Sequence, residues 1–354
     1  MNIDTSGQLI ISTGPQTRFA KGADVSWLPQ MEASGFIFRD INGEPADCLE
    51  ILKANGMNTI RLRVFVDPSG DPQSGHCSAH ETADMAVRAQ KLGFRLLIDF
   101  HYSDSWADPA KQTKPAAWAH CSFAELESAV YQHTFDVLSL LKECGITPDW
   151  VQIGNEIPDG MLWPDGRVSQ GSNLAQLINA GYRATKAVAS SIKVIVHVDR
   201  GNDNQLFRWF FDALQHQGGQ FDVIGLSYYP YWLGVDYTQN IADLQHNLLD
   251  MVQRYGKEVM VVEVGGEDTS PANTHAMLSA VLGAVRNVPD NKGLGVLYWE
   301  PQGAASWSNY KLSCWSNQGY PTEALTAFRE DTEKRKIGKD SPILYKERGI
   351  LQPA

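Results

Sequence analysis

The chain has 354 residues, a formal net charge of −11, 43% hydrophobic and 20% charged residues. That length allows one large domain or two ordinary ones. The acidic balance argues against nucleic acid or an anionic membrane surface as partner, because both require a basic face. No apolar run is long enough to span a bilayer, and the five cysteines include no C-x-x-C pair, so neither a zinc ribbon nor a disulfide framework is indicated. One or two disulfides remain open.

In chain order, residues 1–18 are polar and weakly patterned and read as a loose N-terminal arm. Strand-like and helix-like segments then alternate. The spacing of apolar and β-branched residues predicts strands over 19–27, 59–66, 95–102, 150–156, 193–201, 223–230, 258–265 and 295–301. It predicts helices over 47–55, 80–92, 123–143, 173–189, 204–217, 241–255 and 271–288, with a last helix over 322–336. Gly56, Gly93, Gly145 and Gly256 each close a helix just before the next strand. Eight βα repeats predict a closed (β/α)₈ TIM barrel, a single α/β domain over 19–336 with a tail, 337–354, packed on the surface. An open doubly wound sheet is the competing architecture, but no G-x-G-x-x-G turn follows the first strand. The βα connections at 67–79, 103–122, 157–172, 231–240 and 302–319 are long and rich in aromatic residues, Pro and Asp, which marks that face as functional.

Two stretches carry the chemistry. The runs Trp150-Val151-Gln152-Ile153-Gly154-Asn155-Glu156 and Glu258-Val259-Met260-Val261-Val262-Glu263 are apolar and each ends on a glutamate. A strand-end glutamate alone reads equally well as a helix cap. Two of them, on opposing sides of one barrel mouth, are the minimal equipment for glycoside hydrolysis. Environment would divide their roles, with Glu263 ionised as nucleophile and Glu156 raised in pKa as acid/base. Asn155 offers a neutral donor and acceptor to a sugar hydroxyl. Arg61 and Arg63 share one face of the second strand and require carboxylate partners, with Glu263, Asp24 and Asp99 all eligible. Tyr229 ends the sixth strand, where its hydroxyl can hold the nucleophile or simply pack. His101, Asp104, Trp106 and Asp108 crowd the end of the third strand, His197 and Asp199 share a face of the fifth, and Trp299 ends the eighth as a sugar floor. Trp118, Trp163, Trp232 and Trp315 read as flanking sugar platforms or as loop packing. No H-x-H or H-E-x-x-H metal pattern, G-x-S-x-G elbow or phosphate loop occurs. Neither a metal nor another cofactor is therefore expected.

Taken together these residues resemble glycoside hydrolase family 53, the endo-β-1,4-galactanases. The resemblance runs from about Phe19 to Trp299. It rests on Lys21-Gly22-Ala23-Asp24-Val25-Ser26, Gly56-Met57-Asn58-Thr59-Ile60-Arg61-Leu62-Arg63 and Asp99-Phe100-His101-Tyr102-Ser103-Asp104 with Trp106-Ala107-Asp108-Pro109. Gln112, Pro115, Trp118, Gln152-Ile153-Gly154-Asn155-Glu156, Gly225-Leu226-Ser227-Tyr228-Tyr229-Pro230 and Tyr298-Trp299-Glu300-Pro301 extend it. It implies a retaining endo-hydrolase of β-1,4-galactan with its acid/base at the end of strand four and its nucleophile at the end of strand seven. The family usually follows the nucleophile with Thr, a small residue and then an aromatic-Pro-aromatic run. Val264-Gly265-Gly266-Glu267-Asp268-Thr269-Ser270 stands here instead, without that platform and too short for the calcium loop of many bacterial members. A mannanase-like β-glycanase or a non-catalytic glycan-binding barrel are the other readings of the same glutamates. The expected partner is polysaccharide and the expected state a monomer. The start, Met1–Gly7, lacks a signal peptide's charged and apolar regions, so either the protein is cytoplasmic or a leader has been removed; the polar first stretch favours removal, and a polymeric substrate then points to a secreted, periplasmic or cell-surface protein.

Overall fold

A computed structural model describes residues 19–69 and 76–329. Eight parallel strands close a barrel in sequence order: β1 (Ala20–Asp24), β2 (Thr59–Val64), β3 (Arg95–Phe100), β4 (Trp150–Ile153), β5 (Lys193–Val198), β6 (Val223–Tyr228), β7 (Glu258–Val264) and β8 (Gly293–Trp299). β1 pairs with β8 to complete the ring. The helices are α1 (Leu28–Ala33), α2 (Cys48–Ala54), α3 (Ala79–Lys91), α4 (Phe123–Glu143), α5 (Asn173–Val188), α6 (Asn204–His216), α7 (Ile241–Tyr255), α8 (Pro271–Arg286) and α9 (Ala305–Ser308). This is the (β/α)₈ barrel that the alternation implies. Among the described residues no helix is long and apolar enough to cross a membrane.

Local sequence explains the element ends. Ser78 with Glu81, and Ser122 with Glu125, form capping boxes that satisfy the first N–H groups of α3 and α4. Pro271 opens α8 where its missing N–H costs nothing, and Gly256 ends α7 in the left-handed region. The apolar faces of the helices cover the outside of the barrel, and a smaller inner cluster of Ala20, Leu97, Trp150, Ile195, Val223, Met260, Val262, Leu294 and Leu297 fills its lower interior.

Period-two alternation carries this inner face upward into the site. Leu97 is followed on the same face by Asp99 and His101, Trp150 by Gln152, Ile195 by His197 and Asp199, and Val223 by Gly225, Ser227 and Tyr229. The barrel interior is thus apolar at the N-terminal ends of its strands and polar at the C-terminal ends. β7 breaks the alternation. Leu226 pairs with Val261 but Ser227 pairs with Glu263, a bulge that spends one extra residue at Val262. Val262 sits in the inner cluster, so without the bulge its neighbour Glu263 would point out toward the helices. The bulge turns it inward.

Three expectations need correction. Within the described part of the helix expected over 322–336, a 3₁₀ helix stands at Glu323–Phe328, and residues 330–336 lie outside the described residues. There Ala324, Leu325, Ala327 and Phe328 are buried, and the Lys21 ammonium donates to the Phe328 carbonyl at 2.6 Å. The segment packs in the outer layer of the barrel against α8. The short helices α1 and α9 were not anticipated, because four to six residues carry too little periodicity. The strands stop one to three residues before their expected ends, since the residues beyond them turn into the site. The arm at 1–18, the tail at 337–354 and part of the 67–79 connection lie outside the described residues. All five cysteines are free thiols.

Close strand packing gives one stability test. A Cβ on Gly22 would lie 2.2 Å from the Thr59 carbonyl oxygen and 2.7 Å from Leu297 Cδ2, and Gly22 pairs directly with Thr59 across β1 and β2. Neither neighbour can withdraw without opening the barrel. Gly22→Ala is expected to destabilise by about 1–3 kcal/mol or more, seen as a lowered denaturation midpoint in urea at unchanged slope.

Candidate active site

The C-terminal ends of the strands enclose a cavity of about 650 Å³, within the rough 300–1,000 Å³ range of small-ligand sites. Four non-glycine residues just past strand ends adopt left-handed backbones: Tyr102 (φ 50°), Glu156 (φ 44°), Arg200 (φ 51°) and Glu300 (φ 49°). Such conformations cost on the order of 1 kcal/mol each and persist where surrounding contacts over-determine them. At Glu156 those contacts are visible. The Gln112 side-chain amide donates to the Asn155 carbonyl at 2.8 Å and the Glu156 carbonyl at 3.1 Å, pinning the turn that projects the carboxyl into the cavity.

Both glutamates line this cavity. Glu263 Oε1 lies 2.9 Å from Arg61 Nη2, and its Oε2 accepts the Tyr229 hydroxyl at 3.1 Å. Arg61 is fully buried and also meets Asp24 at 2.9 Å and Asp99 at 2.7 Å. One cation therefore serves three carboxylates. Burial pushes Glu263 up to about 7, with Arg61 and Tyr229 opposing the rise and Asp99 and Asp24 adding to it. Among the described residues no cation pairs with Glu156; its Oε1 accepts the Ser227 hydroxyl at 2.5 Å. Burial, then the charge of Glu263, holds it well above the ordinary carboxylate range. The pair can thus supply one anion and one neutral acid to the same bound molecule.

The second arginine organises the aromatic wall. Arg63 Nη1 meets Glu300 at 2.5 Å, and its guanidinium lies 4.7 Å from the Trp106 ring centroid and 5.8 Å from those of Trp27 and Trp299. Glu300 is buried and takes further donors from the Trp27 N–H and Gln302. Arg63 thus holds three tryptophans as one surface beside the glutamates, while its own Nε and Nη2 have no hydrogen-bond partner among the described residues.

The other expected site residues divide. Asn155, Arg63, His101, Trp106, Asp108, Asp199, Tyr229, Trp232 and Trp299 line the cavity. Asn155 accepts from Arg61 and donates one amide hydrogen to the Ala107 carbonyl, leaving the other for a ligand. His101 shows its ring: Nδ1 accepts the Ala107 N–H, and Nε2 lies 2.9 Å from Asp99. Asp199 presents a buried Oδ1 with no hydrogen-bond partner among the described residues. Trp232 is 63% exposed at the rim.

Arg61, His197, Asp104 and Trp118 do not line the cavity and are corrected here. Arg61 lies beneath it, consumed by its carboxylates. His197 is buried between Gln152 and Ser227. Asp104 accepts the backbone N–H groups of Asp67 and Ala116, which staples two loops together. Trp118 packs under the β3 loop against Tyr102 and His133. Trp315 is core, packed edge-on to Phe38, and Trp163 stays on its own loop, stacked by Arg167.

Ser227, Tyr310, Trp27 and Glu300 were not singled out for roles, and all belong to the cluster around the cavity. The charge of Glu263 contributes to raising Tyr310 well above its usual value, after burial. A Cβ on Gly265 would fall 2.9 Å from the Tyr310 hydroxyl and 2.9 Å from Tyr229 Cε1. Gly265 thus leaves room for a tyrosine from the loop after β8. Tyr310 stacks edge-on against Trp299 with centroids 4.9 Å apart. Nothing local at position 310 announced this, because the contact exists only once the barrel closes. Among the described residues no group of three or more His, Cys, Asp or Glu could hold a metal ion.

Comparison with known proteins is consistent along the chain. The model of glycosyl hydrolase family 53 matches residues 20–335. An arabinogalactan endo-beta-1,4-galactanase from Thermothelomyces thermophilus is 31% identical over 87% of this chain and 98% of its own length. One from Aspergillus niger is 34% identical over 79% and 84%. Among solved structures, an Ignisphaera aggregans GH53 catalytic domain superposes with a TM-score of 0.80 at 33% identity, covering 90% of this chain and 97% of that one. An exo-beta-1,4-mannosidase from an Opitutaceae bacterium, at 18% identity and a TM-score of 0.59, shares the barrel alone. The match across nearly the whole barrel and the paired carboxylates at its mouth agree, and the chain belongs to glycosyl hydrolase family 53.

Proposed function

We propose that the protein is an endo-acting galactanase that hydrolyses β-1,4-linked galactan, the side chain of type I arabinogalactan, with retention of anomeric configuration. The observation that carries this reading is the unequal holding of two carboxylates in one cavity. Glu263, gripped by a cation and a phenol, attacks the anomeric carbon. Glu156 gives its proton to the glycosidic oxygen, the C1–O bond breaks, and the leaving chain departs as an alcohol. Glu156, now ionised, takes a proton from water as the water oxygen attacks C1, and Glu263 is released. Arg63, Trp27, Trp106 and Trp299 wall the sugar whose bond is cut. Asn155, His101 and Asp108 line that part of the cavity, and Asp199 and Trp232 face the sugars of the leaving side. The names of the relatives support galactan as the polymer. Such a polymer is met outside the cytoplasm, so we place the enzyme in the secreted, periplasmic or cell-surface space. We take it to act as a monomer, and the charge of −11 gives nucleic acid no purchase.

The reading is tested by incubating the protein with unbranched β-1,4-galactan, β-1,4-mannan and cellulose oligomers and separating the products. Short galactooligosaccharides appearing early from galactan, with little from the others, are expected. Cleavage of mannan in preference to galactan would refute the substrate assignment.

Turnover requires Glu263 ionised and Glu156 protonated, so activity rises with pH through the first value and falls through the second. The Tyr229 hydroxyl donates to Glu263 and favours its ionised form. In Tyr229→Phe the acid limb of the kcat/KM profile is expected to move to higher pH, with a loss at the optimum of roughly 10- to 100-fold, measured by initial rates across pH.

A further inference from the structure

We propose that Ser227 and His197 form a positioning relay that fixes the acid/base carboxyl, so that Oε1 is always an acceptor and Oε2 alone carries the proton to the glycosidic oxygen. The proposal rests on the reading of Glu156 as acid/base. Its basis is a closed ring of hydrogen bonds. The Glu156 backbone N–H points at His197 Nδ1 at 3.3 Å, His197 Nε2 lies 2.7 Å from Ser227 Oγ, and Ser227 Oγ lies 2.5 Å from Glu156 Oε1. The Gln152 amide nitrogen stands 3.0 Å from the same Nδ1. The Asn155 oxygen, 3.1 Å from Nδ1, already accepts from Arg61 at 2.9 Å.

The direction of each bond follows. A backbone N–H can only donate, so Nδ1 is an acceptor, and the neutral ring carries its proton on Nε2. Burial, with Arg61 nearby, keeps His197 neutral well below its usual value. Nε2–H therefore donates to the Ser227 oxygen. The serine hydroxyl is left with one acceptor to face, the Glu156 carboxyl. The chain of donors ends on Oε1 whether Glu156 is protonated or ionised. The same ring adds to the Gln112 contacts that hold the left-handed backbone of Glu156 (φ 44°).

A hydroxyl donating to a carboxylate favours the charged form. Around Glu156 the charged and titratable groups are Glu263 from β7, Arg61 from β2, Asp199 and His197 from β5 or its end, and Tyr229 just beyond β6. Two carboxylates and burial oppose ionisation, while Ser227 and the more distant Arg61 favour it. Ser227 therefore keeps the acid strong enough to protonate a poor leaving group.

The test is Ser227→Ala, which deletes one oxygen, with Ser227→Thr as the variant that keeps the hydroxyl and thermal unfolding as the check on folding. In Ser227→Ala the alkaline limb of kcat/KM should move up by about one pH unit. Its rate on galactan should fall about 10- to 100-fold, and its rate on a dinitrophenyl galactobioside, whose leaving group needs no proton, about tenfold less. Ser227→Thr should recover both the limb and the rate toward wild type. Equal losses on the two substrates with an unmoved alkaline limb would overturn the relay. Glu156→Ala in parallel separates the two ideas. If it does not spare the activated substrate relative to galactan, the acid/base reading itself fails; if it does and Ser227→Ala shows no shift, only the relay fails.

Discussion

Glu263→Ala is expected to lower the rate on galactan by on the order of 10⁴-fold or more, because no other group stands where a covalent bond to the anomeric carbon can form. The loss is not a folding defect. Glu263 borders the cavity, so water fills the space it leaves, and Arg61 keeps both Asp24 and Asp99. Removal should in fact stabilise the barrel. The carboxyl is pushed up to about 7 in the fold, with burial the largest cause, against an ordinary value near 4.3 in the unfolded chain. Between those values the folded state binds more protons than the unfolded one, so stability falls as pH rises through the window, and the penalty is complete above it. Glu263→Ala lacks this penalty. Its melting temperature should exceed that of wild type at pH 8, with the difference shrinking toward pH 4. Added azide should restore turnover of an activated β-galactoside, giving the α-galactosyl azide, since the small anion enters from the face the carboxylate occupied. Unrestored activity with an unchanged melting difference would count against the nucleophile assignment.

Arg61→Met is expected to be the most destabilising single change in the site. Its guanidinium is fully buried and contacts Asp24, Asp99 and Glu263 within 3 Å. Methionine fills much of the volume but leaves three carboxylates converging on an apolar group. Breaking a buried network by deleting one partner costs about 3–5 kcal/mol, which lowers the melting temperature by on the order of 10 °C. Activity should fall with it, because Glu263 loses the cation that favours its ionised form and the Asn155 side chain loses the donor that orients it. Guanidinium ion added to Arg61→Ala should recover part of the rate if the arginine acts through its charge. A melting temperature within a degree of wild type would show that the network is not the keystone of the barrel mouth.

The barrel was legible in the sequence because every strand is buried on both faces and reads as an apolar run, and several helices end on a glycine before the next strand. Much of the site was legible for the same reason: polar residues such as Asp99, His197 and Asp199 stand out at the ends of such runs. What sequence could not show was direction. Asp99 and His197 look like Asp199, yet the first two are spent inside the network and only Asp199 reaches the cavity. Trp118 and Trp232 are equally aromatic loop residues, and only the path of each loop decides which is packed and which is exposed. The inward aim of Glu263 depends on a bulge at Val262 that no residue type signals. Tyr310 approaches because Gly265 leaves room, a relation between positions on different loops. The resemblance of the motifs supplied the reaction; the contacts supply the reasons that Glu156 and Glu263 differ.

The most direct test of this account is the configuration of the first product. Galactan or an aryl galactobioside is hydrolysed at high enzyme concentration, and the anomeric proton is followed by nuclear magnetic resonance before mutarotation. Double displacement through Glu263 requires the β-anomer to appear first, with the α-anomer growing in only at the mutarotation rate. Initial release of the α-anomer would mean direct attack by water, and would contradict a covalent role for Glu263.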